Sequence, residues 1–266
     1  MTPAQIEQAA QTLFEAEKTG VQCGLLSVEY PDISLDDAYA VQAALVSLKI
    51  DAGLVVRGWK IGLTSRAMQA ALNIETPDSG VLFDNMLFEN GGRVAAERFI
   101  QPRVEAEIAF VLKRDLDAHN LDLQGVVAAT EYVCPALEIL DTRILRADPA
   151  SGRARTIHDT VSDNAANAGI VLGGNPMDPA DVNLARVGVV LSRNACIEET
   201  GLGAGVLGHP AQGIVWLARR LAQYGQRIKA GEIVISGSFI RPVEAPHGST
   251  IHADYGDFGN VSIFFE

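Results

Sequence analysis

Over the first 52 residues the apolar positions fall three or four apart, and from Leu54 onward they gather into short runs broken by Gly, Pro, Asn and Asp. Ile6, Ala9, Ala10, Leu13 and Ala16 form a helical stripe behind Thr2 and Pro3, a suitable cap and first-turn pair. A second stripe, Ala38, Val41, Leu45 and Leu48, follows Ser34, which can cap, and Asp36 and Asp37, which favour a first turn; Gly53 ends it. The later runs predict strands over Val55–Leu63, Gly80–Leu87, Val104–Leu112, Tyr132–Ile139, Ala168–Leu172, Arg186–Leu191, Glu232–Ser236 and Asn260–Phe265. One clear helix interrupts them after His209-Pro210, with Ile214, Leu217, Ala218 and Leu221 as its stripe, and weaker ones are expected at Ser65–Leu72 and Leu123–Ala129. Strands without regular helical crossovers predict a mixed, largely antiparallel architecture rather than a doubly wound sheet. The change of texture divides the chain into a helical portion, 1–53, and a β-rich portion, 54–266.

Composition narrows the partners. The 266 residues are 48% hydrophobic, enough for a substantial core, and the net charge of -12 disfavours nucleic acid and anionic membrane surfaces. Small molecules are the expected partners. No apolar stretch approaches 20 residues, no basic-then-apolar leader opens the chain, and Cys23, Cys134 and Cys196 are too scattered for a disulfide framework or metal knuckle. A reduced, cytoplasmic setting is the expectation. Cys134, just before Pro135, fits either a buried small hydrophobe or a reactive thiol.

The densest chemistry lies in Arg103-Val-Glu-Ala-Glu-Ile-Ala-Phe-Val-Leu112. In a strand, residues two apart share a face roughly 6–7 Å apart, so Glu105 and Glu107 point the same way. Glu138 follows in another apolar run. Burying several carboxylates together costs several kcal/mol each without a cation, and all-oxygen ligation suits Mg²⁺ or Mn²⁺ better than Zn²⁺. Lys60 lies between Gly58 and Gly62, where it can enter a pocket as a proton-handling group or face water from an edge strand. Asp78, in Glu75-Thr-Pro-Asp-Ser-Gly80, fits a proton shuttle or an Asx turn. Ser162, Asp163, Asn164 and Asn167 fit substrate contacts or simple turn and cap residues. Arg143, Arg146, Arg153 and Arg155 form a candidate clamp for a distal substrate carboxylate, or a solvated loop or oligomer contact. Ser236-Gly-Ser-Phe239 lacks a nucleophile-elbow pattern; its small residues suit a turn close to a ligand, with Ser238 a candidate contact. The glycines of Gly201-Leu-Gly-Ala-Gly205 do not make a dinucleotide fingerprint, and the five histidines show no metal-binding spacing.

Taken together, Gly58-Trp-Lys-Ile-Gly-Leu-Thr-Ser65, Pro102-Arg-Val-Glu-Ala-Glu107, Tyr132-Val-Cys-Pro-Ala-Leu-Glu-Ile-Leu-Asp141 and Ser162-Asp-Asn-Ala-Ala-Asn167 resemble the fumarylacetoacetate hydrolase superfamily, in its hydratase and decarboxylase branch. The resemblance runs nearly end to end and includes Ile197-Glu-Glu-Thr-Gly201 and Asp254-Tyr-Gly256. It implies an α+β fold, a mixed β-sandwich roll with an N-terminal helical portion, and a homo-oligomer, often a decamer. It implies that Glu105, Glu107 and Glu138 bind Mg²⁺ or Mn²⁺ and that Lys60 and Asp78 handle protons. The implied activity is hydration of a seven-carbon 2-oxo dicarboxylate of aromatic meta-cleavage catabolism; the sister activities are decarboxylation of 4-oxalocrotonate and hydration of 2-hydroxypentadienoate. A non-catalytic dicarboxylate-binding relative is the reading from another class. The superfamily's hydrolases also carry a histidine between the counterparts of Lys60 and Glu105, and this chain has none there. Carbon–carbon hydrolysis is thereby disfavoured.

Overall fold

The computed structural model describes residues 1–72, 74 and 76–266, so Glu75, first residue of the expected 75–80 turn, lies outside it. Helices α1 (Pro3–Thr19), α2 (Leu26–Glu29) and α3 (Leu35–Asp51) open the chain, followed later by α4 (Arg66–Leu72), α5 (Leu123–Ala129), α6 (Ile157–Ser162) and α7 (Ala211–Gln223). Strands are β1 (Val56–Gly62), β2 (Asp78–Phe83), β3 (Leu87–Phe88), β4 (Gly92–Val94), β5 (Arg103–Leu112), β6 (Thr130–Leu140), β7 (Asn167–Leu172), β8 (Gly188–Arg193), β9 (Cys196–Leu202), β10 (Ile233–Ile235), β11 (Val243–Glu244), β12 (Ser249–Asp254) and β13 (Asn260–Phe265). The first helix starts where expected because Thr2 and Gln5 form a reciprocal capping box and Pro3 fills the first turn. Ser34 and Asp37 do the same for α3. No helix among the described residues is long and apolar enough to cross a membrane.

Among the described residues the strands build an eight-stranded sheet, ordered β2-β1-β10-β5-β6-β7-β3 with β11 beside β5, and a five-stranded sheet, β4-β13-β12-β8-β9. Pairing is mostly antiparallel, with β1–β10, β3–β7 and β4–β13 parallel. The architecture is the mixed α+β arrangement expected. Alternate residues of β5, Val104 through Leu112, enter the main core with Val133, Leu137 and Ile139 of β6, residues of α7, and Leu191, Ile251, Ala253, Val261 and Ile263 of the second sheet. A strand that gives one set of side chains to the core turns the other set away from it, so Glu105 and Glu107 project from the opposite face. The first helices bury a separate cluster, Ala9, Ala10, Leu13, Val41 and Leu45, against Ile144 and Val161.

Several expectations need correction. Asp78-Ser-Gly80 is fully buried strand rather than turn, because its backbone pairs with Lys60, Ile61 and Gly62 of β1. Part of the polar stretch 159–167 is helix: Thr156 and Asp159 form a capping box, and Asp159 also accepts from the amide and hydroxyl of Ser27. Strands β9 and β12 escaped notice because one is largely exposed and the other alternates strictly between buried and exposed residues, which leaves each with few large apolar side chains.

The outer edge of the eight-stranded sheet is closed by side chains. Asn164 donates to the Val81 carbonyl (2.9 Å) and accepts from its amide (2.8 Å), Asn167 donates to the same carbonyl, and Gln42 donates to the carbonyls of Ser79 and Val161 at 2.9 Å each. To reach β2, Asn164, Ala165 and Ala166 adopt three successive positive φ angles of 50°, 53° and 59°. Each such non-glycine residue costs roughly 1–2 kcal/mol. We expect Ala165→Gly to stabilise the protein by about 0.5–1 kcal/mol in urea unfolding, since glycine relieves more strain than it adds in unfolded-state entropy; a lower midpoint would show that the turn is unstrained.

Candidate metal and catalytic site

Register brings the acids together. Glu105 of β5 lies directly opposite Glu138 of β6, and Glu107 opposite Ala136, so one face of a single strand pair carries all three carboxylates. Each offers an oxygen within 4.8 Å of the others. Two strands from β5, Lys60 of β1 is level with Ile235 of β10, itself level with Ala109 of β5. Its Nζ lies 3.5 Å from Glu138 Oε1 and 3.8 Å from Asp78 Oδ1. Gly62 pairs with Asp78, and a Cβ there would strike the Asp78 carboxylate and the Lys60 ammonium, so a larger residue would displace both groups.

The electrostatics are unbalanced. Four acids face one lysine, all buried except the partly exposed Glu105. Burial and Glu138 push Glu105 up to about 8; burial and Glu105 push Glu107 up to about 8. Burial lifts Glu138 well above the carboxylate range, outweighing Lys60. Burial also raises Asp78, against the pull of Lys60 and the Gly62 amide. Desolvation opposes the Lys60 ammonium, but Glu138 and Asp78 outweigh it and raise its pKa, so this lysine stays charged at neutral pH.

Hydrogen bonding leaves the same imbalance. Glu107 Oε2 accepts from the Gly237 amide at 2.8 Å, whereas Glu107 Oε1, both Glu138 oxygens and Asp78 Oδ1 are buried without a hydrogen bond. Unpaired buried oxygens grouped this closely fit the donor set of a hard divalent cation, and the trio could hold Mg²⁺ or Mn²⁺.

The remaining candidates separate. Ser162 ends α6 with a buried hydroxyl that has no hydrogen-bond partner. Asn164 does not have a free side chain, since both ends of its amide are occupied by Val81. Ser238 closes a local turn, donating to the Ile240 carbonyl at 2.9 Å. The arginines do not act as one clamp. Arg143 is buried and spent on Asp163 (Nε–Oδ1 2.5 Å) and the carbonyls of Asp163 and Asn167. Arg146 holds Gln101, Arg155 donates to Thr142 Oγ1 at 2.7 Å, and Arg153 is exposed. Cys134 is buried, and desolvation pushes its thiol up to about 12, which suits the packing role. Sequence reasoning passed over Gln42, an unremarkable polar residue in a helical stripe, and the role of Tyr255, whose only signal was its place in Asp254-Tyr-Gly256.

No family model matches the chain. It is 50% identical over 256 residues to the 2-oxo-hept-4-ene-1,7-dioate hydratase of Escherichia coli, a match covering 96% of each chain. The chain belongs to the fumarylacetoacetate hydrolase superfamily. Within the superfamily its fold matches 4-oxalocrotonate decarboxylase from Pseudomonas putida G7, solved with magnesium and adipate, at a TM-score of 0.93 and 33% identity over 100% of this chain and 99% of that one. Fumarylpyruvate hydrolase from Pseudomonas aeruginosa, 12% identical with a TM-score of 0.59 over 79% of this chain and 88% of its own, shares the superfamily fold.

Two outcomes follow from these charges. Glu138→Gln should weaken the rise in melting temperature expected of the parent in millimolar Mg²⁺, by removing a candidate ligand; calorimetric scans with and without Mg²⁺ measure it. Arg143→Ala should cost about 3–5 kcal/mol in urea unfolding, because it strands the buried Asp163 carboxylate.

Proposed function

We propose that this chain is a divalent-cation-dependent hydratase acting on 2-oxo-hept-3-ene-1,7-dioate, formed from 2-hydroxyhepta-2,4-dienedioate, to give 4-hydroxy-2-oxoheptanedioate. The observation that carries the proposal is the group of Glu105, Glu107 and Glu138 with Lys60 and Asp78 beside them on one sheet face. The hydratase relative, 50% identical, supports hydration over the decarboxylation named for a structure 33% identical. Its name puts the double bond at C4, while the conjugated enone that accepts water at C4 has it at C3; both are tautomers of one dienol.

In this reading the three glutamates hold Mg²⁺ or Mn²⁺, which when bound supplies the Lewis acidity that polarises the 2-oxo group and steadies enolate charge. Lys60 and Asp78 form the proton-handling pair. The fixed ammonium of Lys60 offers positive charge and a proton to the substrate oxygen or carbon, and Asp78, whose carboxyl burial raises above its ordinary value, carries protons between water and carbon. Ketonisation moves the enol proton to C5; hydration then places hydroxyl on C4 and a proton on C3. The free Ser162 hydroxyl is suited to a substrate carboxylate oxygen. The same reading carries a cytoplasmic homo-oligomer, up to a decamer, built from chains with a helical portion, 1–53, and a catalytic portion, 54–266; sedimentation velocity measures the assembly.

The test supplies purified protein and Mg²⁺ with the seven-carbon dienol. Loss of dienol absorbance, a product heavier by one water and no CO₂ are expected. Release of CO₂ would instead establish a decarboxylase, and no turnover of this or the related ring-cleavage acids would favour a binding protein. Lys60→Ala and Asp78→Asn should each lower kcat by about 10²-fold or more while Mn²⁺ still binds.

A further inference from the structure

Two motifs of the second sheet take no part in the chemistry described above, Ile197-Glu-Glu-Thr-Gly201 and Asp254-Tyr-Gly256, and both meet Phe239 in the loop 237–240, whose Gly237 amide donates to the Glu107 carboxylate. Tyr255 is 4% exposed, and its hydroxyl crosses to the first sheet, 2.7 Å from the Ala136 carbonyl and 3.0 Å from that of Glu107. Ala136 and Glu107 are opposite one another in the β5–β6 register, so the hydroxyl binds the strand pair at the rung from which the Glu107 carboxylate projects. The Tyr255 ring packs edge-on against Phe239 at 6.0 Å between centroids. Phe239 stands two residues after Gly237, whose amide fixes Glu107 Oε2. Gly201 presses on the other side of this loop: a Cβ there would enter the Phe239 carbonyl oxygen and crowd the Ile240 side chain. Beside it, Glu199 accepts from Arg241 Nε and Nη2 at 2.9 and 2.6 Å.

We infer that Tyr255 and Gly201 are positioning residues for the metal centre, through which the five-stranded sheet sets the place of Glu107. The inference rests on the reading that Glu105, Glu107 and Glu138 hold a divalent cation. The physical need is plain. Three carboxylates on one strand pair repel one another and tend to splay the strands or swing a side chain outward, and each departure removes a ligand from the set. Glu107 resists both movements, its backbone held by the Tyr255 hydroxyl and its carboxylate by the Gly237 amide, and Phe239 joins the two restraints. Glu105 and Glu138 have no amide of this kind among their hydrogen bonds in the described structure.

The experiment measures Mn²⁺ affinity of the full chain by the resonance signal of free Mn²⁺, for the parent, Tyr255→Phe, Gly201→Ala and Val261→Ala. Tyr255→Phe keeps the ring and deletes the hydroxyl, whereas Val261→Ala removes buried volume from the same sheet at a residue outside the loop. The Mn²⁺ dissociation constant should rise about tenfold in Tyr255→Phe and Gly201→Ala and stay within about twofold of the parent in Val261→Ala. Saturating Mn²⁺ should return most of the lost kcat to Tyr255→Phe. An unchanged constant in Tyr255→Phe, or an equal rise in Val261→Ala, overturns the inference while leaving the metal site standing. Failure of the parent itself to bind Mn²⁺ overturns the metal reading and this inference with it.

Discussion

Mutual repulsion among carboxylates that have been taken out of water is the constraint around which this molecule is organised. Glu105, Glu107, Glu138 and Asp78 share a site with one ammonium, Lys60, and the protein supplies few hydrogen bonds in compensation. A fold does not collect such groups for stability, because apolar residues of similar size would pack there at lower cost. The arrangement becomes reasonable once a cation completes it. The flanking features then have a common purpose: Gly62 lets Asp78 and Lys60 come close, the Gly237 amide fixes one oxygen, and the β5–β6 register fixes the spacing.

Much of this was legible in the chain. The i, i+2 spacing of Glu105 and Glu107 needs only the pleat of a strand to place both on one face, and the apolar run around them implies burial. Their partnership with Glu138, by contrast, depends on which residue β6 sets opposite Glu105, and register is a long-range property that no local pattern encodes. The same holds for Lys60, two strands away. The arginine loop misled for a related reason. Composition shows four cations close in sequence, but the partner that occupies Arg143 is Asp163, twenty residues on and buried, and only the fold reveals that pairing. The helical start was easier to see because caps, prolines and stripes act within a few residues.

The two sheets divide the labour. The eight-stranded sheet presents the acids, and its other face shares the main core with the second sheet. The helical cluster adds a layer of its own, and through Gln42 it holds the carbonyls of Ser79 in β2 and Val161 in α6 at once, next in sequence to Asp78 and Ser162. A residue of α3 thereby ties β2 to α6.

The carboxamides along β2 have a consequence beyond the site. A terminal strand normally leaves a row of unpaired amides and carbonyls, which is a template on which another chain can add a strand. Here Asn164, Asn167 and Gln42 occupy the outward groups of Ser79 and Val81, imitating the hydrogen bonds of a neighbour without the continuous backbone that would pass the pattern on. The edge is closed by side-chain hydrogen bonds together with the backbone of Asn164 packed against Gly80. Strand addition at Ser79 and Val81 is disfavoured although, among the described residues, no strand pairs with that side.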